Sequence, residues 1–143
     1  MAKARRKVFI SAATSDAPLV REITARLEAA GVDAWNSAVE ALPGTNISAE
    51  LGRALGQAEA VIVLVSPAAM KSLWVRREIQ FALGEEKLQD RLIPVLAKPT
   101  PSEVIPWILR KLQWPKGDAD KVAEQVLKVL QVPKPREARA QAR

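Results

Sequence analysis

The chain has 143 residues, 48% hydrophobic and 27% charged, a length and balance suited to one globular domain with its own core. It contains no cysteine, histidine or tyrosine, which excludes disulfide staples, thiolate nucleophiles, Ser–His–Asp relays, zinc fingers and imidazole metal ligands. The net charge of +6 collects at the two ends, where eight basic side chains meet only Glu137, while residues 8–133 hold 14 basic and 15 acidic groups, so no basic groove for nucleic acid is expected.

No apolar run approaches the roughly 20 residues of a membrane helix, and residues 1–7 lead into a strand rather than a signal-peptide core, so the expected location is the cytoplasm. Residues 1–6 read as a basic tail, 7–132 as the domain, and 133–143 as a basic, disordered tail broken by Pro133 and Pro135.

Val8, Phe9 and Ile10 form a short apolar run without polar alternation, the pattern of a buried parallel strand. A first helix follows, with Leu19, Ile23 and Leu27 at four-residue spacing, Asp16 as N-cap, Pro18 in the first turn and Gly31 at the stop. Val32 to Trp35 reads as a second strand. A long connection through Pro43 and Gly44 leads to a second helix with apolar Ile47, Leu51, Ala54, Leu55 and Ala58.

Val61 to Val65 is a third strand, Ser66 and Pro67 mark a turn, and a third helix runs from about Ser72 to Leu83. Leu92 to Leu96 is a fourth strand, which Pro94 assigns to an irregular or edge position. Lys98 to Pro106 is a Pro-rich loop. A fifth strand is expected at Leu112, Gln113 and Trp114, before a last helix with Val122, Val126, Val129 and Leu130 on one face.

Alternating strands and helices predict an α/β fold with a mainly parallel, five-stranded sheet and helices on both faces. Ligands of such sheets bind beyond the carboxyl ends of the strands, which singles out the loops Ser11–Asp16, Asn36–Thr45 and Ser66–Ser72. These loops carry neither a Gly-x-Gly-x-x-Gly nor a Walker pattern, so a dinucleotide-type Rossmann site and a nucleoside triphosphatase are not supported. Ser11 and Ser66, at strand ends, are suited to satisfying loop backbone, and Trp35, Trp107 and Trp114 to core or rim packing.

On the third helix, steps of about 100° place Val75, Ile79, Ala82 and Leu83 toward the sheet and Arg76, Arg77 and Gln80 toward water. Trp74, Glu78 and Phe81 form a second stripe at the margin, an acidic group between two rings. Such a Glu serves either as half of a surface ion pair or as a functional carboxylate.

Taken in order, Val8–Ser11, Gly31–Trp35, Leu42–Gly44, Val63–Pro67, Ser72–Glu78 and Ile93–Val95 resemble the successive boxes of TIR (Toll/interleukin-1 receptor) domains, over about residues 7 to 130. The Trp74-x-x-x-Glu78 box resembles that of bacterial, NAD-consuming members. The resemblance implies a flavodoxin-like three-layer sandwich and one of two functions. One is cleavage of the nicotinamide–ribose bond of NAD+, giving nicotinamide with ADP-ribose or cyclic ADP-ribose. The other is a non-catalytic adaptor role through TIR–TIR contacts.

By the same resemblance Glu78 is catalytic, Trp74 builds the pocket, and Ser11, Ala12, Ala13 and Thr14 lie against the nicotinamide riboside. Trp35, Ser37, Pro43, Gly44 and Ser72 complete the implied substrate contacts, and the Pro43–Gly44 loop forms a lid or assembly contact. NAD+ is implied as substrate, with no further cofactor and no metal, and other TIR domains as partners in self-assembly. The chain departs from the family at Ala12, where an aromatic residue is common, and at Asn36 and Ser37, where an acidic one is.

The residue inventory suits this chemistry. The nicotinamide of NAD+ is a cationic leaving group that departs as a neutral ring, so no general acid is needed and the absence of histidine is no obstacle. A fixed carboxylate can hydrogen-bond the ribose hydroxyls and oppose the charge of an oxocarbenium-like transition state.

Overall fold

The computed structural model describes residues 6–36, 47–88, 91–112, 114, 115 and 118–130. In chain order the main elements are β1 (Arg6–Ser11), α1 (Ala17–Ala29), β2 (Val32–Trp35), α2 (Ile47–Gln57), β3 (Ala60–Val65), α3 (Pro67–Lys71), α4 (Leu73–Gly84), β4 (Leu92–Leu96), α5 (Trp107–Arg110) and α6 (Ala119–Leu130). Short 3-10 turns occur at Thr14–Asp16, Glu86–Leu88 and Ser102–Val104.

The strands form one parallel sheet in the order β2-β1-β3-β4. Because successive side chains of a strand point to opposite faces, each strand feeds two cores. Val8 and Ile10 of β1, Ala60, Ile62 and Leu64 of β3, and Ile93 and Val95 of β4 pack under α1 and α6. Phe9, Val61, Val63, Val65 and Leu92 pack on the other face with residues of α2 to α5. Two apolar faces per strand explain the unbroken hydrophobic runs, and the result is a three-layer α/β sandwich.

The helix limits follow from local chemistry. Gly31 adopts φ 84, a left-handed conformation that ends the turn after α1 and starts β2. Pro67 opens α3 and Ser66 caps it, its Oγ accepting from the Ala69 N–H at 3.1 Å. What reads as a turn at Ser66 and Pro67 is therefore the start of a short helix. On the far side, Arg26 of α1 pairs with Asp120 of α6, a hydrogen bond that raises the Arg26 pKa.

Pro94 lies in β4, at the edge of the sheet, where its missing N–H leaves no partner strand unsatisfied. The expected fifth strand is absent from the described residues, whose sheet has four strands. Leu112 and Trp114 lie outside it, and the Trp114 indole N–H donates to the Leu109 carbonyl at 2.8 Å. This bond folds Trp114 back onto α5, and both side chains pack against the α2–α5 core. Trp107, expected to pack, is 64% exposed at the start of α5. No helix among the described residues is long and apolar enough to cross a membrane.

Candidate functional site

β1 ends at Ser11, and strand parity decides where its hydroxyl goes. Ser11 shares its face with Phe9, the face covered by α4. There its Oγ donates to Glu78 Oε1 at 2.7 Å. Both residues are 0% exposed.

The sequence of α4 explains the position of Glu78. Ser72 caps the helix, its Oγ accepting from the Val75 N–H at 3.2 Å. Val75, Ile79 and Ala82 turn into the core, while Arg76, Arg77 and Gln80 face solvent. Glu78 is not at the margin, as helical angles alone suggest. It lies inside the buried arc next to Ile79, because the Ser11 hydroxyl at the sheet end gives the carboxylate a hydrogen-bond partner there. Phe81 remains 38% exposed and Trp74 is half-buried against the core.

A cleft of about 340 Å³ opens beside this pair. One wall is Ala12, Ala13, Thr14 and Ser15 of the loop after β1; the other is Ala68, Ser72 and Trp74. Ser11 immediately precedes the first wall and Glu78 follows Trp74 by one helical turn, so their hydrogen bond ties the two walls together. The cleft lies beyond the carboxyl ends of β1 and β3, where the chain order of the sheet reverses, the place where doubly wound sheets bind ligands.

Five expected contact residues thus line one cleft: Ala12, Ala13, Thr14, Ser72 and Trp74. Ser11 and Glu78 are not in its lining and do not reach solvent. Trp35 does not join them. It is in register with Phe9, two residues before the strand end, and its ring lies 5.2 Å from the Phe9 ring. With Phe9 and Arg53 it borders a separate cleft of about 320 Å³ at the β2 edge. Ser37, Pro43 and Gly44 lie outside the described residues.

Three further polar residues hold this end of the sheet. Asp16 is 3% exposed and accepts from Ser66 Oγ at 2.6 Å, while its other oxygen pairs with Lys98 Nζ at 3.2 Å. Asn36, also buried, donates from Nδ2 to the Ile10 carbonyl at 2.6 Å, extending the β1–β2 seam past its last strand pair. The signal in the sequence is a polar residue directly after an apolar strand, present at Asn36 and Ser66. Asp16 is readable only as a helix cap. Among the described residues no group of three or more acidic side chains could hold a metal ion.

The TIR domain family profile matches residues 8–128. The fold is similar to that of the TIR domain of the Toll-related receptor TRR-2 from Hydra magnipapillata, with TM-score 0.63 and 22% identity over 75% of this chain and 80% of that one. It is also similar to a TIR-STING receptor from C. gigas, with TM-score 0.68 and 24% identity over 88% of this chain but only 40% of that one. The TIR domains of the activated Roq1 resistosome, which directly recognises the pathogen effector XopQ, give TM-score 0.54 and 25% identity over 64% of this chain and 57% of that one. A search of curated proteins gives no match.

Proposed function

The chain belongs to the TIR domain family, and from that premise we propose that it is of the NAD+-consuming type, cleaving the nicotinamide–ribose bond in the cytoplasm with Glu78 as the catalytic carboxylate. The observation that carries this reading is the Ser11–Glu78 hydrogen bond, which joins a carboxylate one helical turn after Trp74 to the residue preceding the Ala12–Ser15 wall, at the ligand-binding end of the sheet. NAD+ enters between the Ala12–Ser15 loop and Trp74. Trp74 offers an aromatic surface to the nicotinamide, and Glu78 takes the ribose hydroxyls and opposes the charge that develops as nicotinamide leaves. Water then gives ADP-ribose, or an adenine nitrogen closes the cyclic product.

Glu78 is closed off from solvent, so substrate entry must uncover it. The Ser11 hydroxyl occupies Oε1 in the closed state and is exchanged for a ribose hydroxyl in the open one. A closed resting state suits activation by self-assembly, since contacts made only by the open conformation shift the population toward it.

The same complete burial favours a second reading, in which Glu78 is a sealed structural group and the domain is a scaffold that binds other TIR domains. Leu73 and Trp107, 62% and 64% exposed, give such contacts an apolar component. Concentrated protein incubated with NAD+, with nicotinamide release followed beside a Glu78→Gln variant, separates the two readings. Release that depends on Glu78 supports the enzyme, and its absence from assembled wild type supports the scaffold.

A further inference from the structure

We propose that Asp16 is a positioning residue that sets the spacing and rigidity of the two walls of the cleft. This deepens the NAD+ reading above and rests on it where turnover is concerned, while the mechanical part stands on the geometry alone.

Asp16 occupies the N-cap position of α1, yet its side chain makes no capping hydrogen bond. An aspartate at this position ordinarily accepts from the N–H groups of the first turn, a gain that is forgone here. Both carboxylate oxygens go to tertiary partners instead, Oδ2 to the Ser66 hydroxyl and Oδ1 to the Lys98 ammonium. Strand parity makes this possible. Ser66 is extended and lies on the α1 side of the sheet with Leu64, opposite to the side on which Ser11 meets Glu78.

Two consequences follow. The Ala12–Ser15 wall is pinned at both ends by hydroxyl-to-carboxylate hydrogen bonds, from Ser11 to Glu78 before it and from Ser66 to Asp16 after it. Ser66 also caps α3, which carries Ala68 and runs into Ser72, so the bond to Asp16 ties the first wall to the second. Lys98 brings in the exit of β4 and supplies the positive charge that a buried carboxylate requires. Asp16 is not itself among the residues that line the cleft, which is why its role is to position.

Asp16→Ala and Ser66→Ala are compared with wild type by hydrogen–deuterium exchange and by kinetics with NAD+. Exchange is expected to rise about tenfold at residues 12–16 and 68–72, with β3 and α6 unchanged, and the double variant to rise by less than the two single effects combined, because they share the Asp16–Ser66 bond. KM for NAD+ is expected to rise about tenfold with kcat changed less than about twofold. Lys98→Met, at a half-exposed side chain, gives the same pattern more weakly and serves where Asp16→Ala does not fold. Exchange that stays at wild-type rates in the loop, or rises evenly through the chain, overturns the proposal. A wild type that releases no nicotinamide overturns the NAD+ reading instead and leaves the exchange pattern to decide the role of Asp16.

Discussion

The Ser11 hydroxyl donates to the Glu78 carboxylate at 2.7 Å with neither residue exposed, so the last residue of β1 and the middle of α4 are joined by a buried polar contact. Such a contact gains strength from the low local dielectric, and removing one partner leaves the other to bear its desolvation.

Ser11→Ala is therefore expected to destabilise the domain by about 2 kcal/mol, measured by urea denaturation, because a buried carboxylate loses a donor. A change below about 0.5 kcal/mol would show that other contacts of Glu78 suffice.

Trp74 combines half-burial on the core with a face toward the cleft. Trp74→Phe is expected to preserve the melting temperature, whereas Trp74→Ala raises KM for NAD+ about tenfold through loss of the aromatic surface. Steady-state nicotinamide release and a thermal melt on the same preparations separate the effects, and an unchanged KM removes Trp74 from the site.

Trp107 and Leu73 are large apolar side chains left mostly in water. Charged replacements, Trp107→Glu and Leu73→Glu, are expected to shift stability by less than about 0.5 kcal/mol, as surface positions do. Sedimentation at high concentration should show weaker self-association in at least one of them if the scaffold contacts pass through this surface.

Gly31 holds φ 84 with open space around the position of a Cβ, so the cost of a side chain is purely conformational. Gly31→Ala is expected to destabilise by about 1 kcal/mol, read as a lower denaturation midpoint with an unchanged m value.

Strand and helix order was legible because each element obeys its own period. The unbroken run Val61 to Val65 announces a strand buried on both faces, and Gly31 marks a helix end by its left-handed backbone and Ser72 a helix start by its hydroxyl. Helical angles alone left Glu78 at the rim, because they carry no information on the Ser11 hydroxyl, 67 residues away, that allows the carboxylate to be buried. Asp16 was legible as a cap but not as a tie, since its partners Ser66 and Lys98 belong to the ends of two other strands. The family resemblance groups Trp35 with the site, whereas register with Phe9 puts it at a second cleft.

Catalysis by Glu78 is tested most directly by comparing nicotinamide release from NAD+ by wild type and Glu78→Gln at equal, high concentration, with both proteins shown to be folded. Wild type is expected to release nicotinamide at least roughly 100-fold faster than the variant, the loss typical of a group that stabilises a transition-state charge. Equal release by the two, or none by assembled wild type, would contradict the assignment of Glu78 as a catalytic residue.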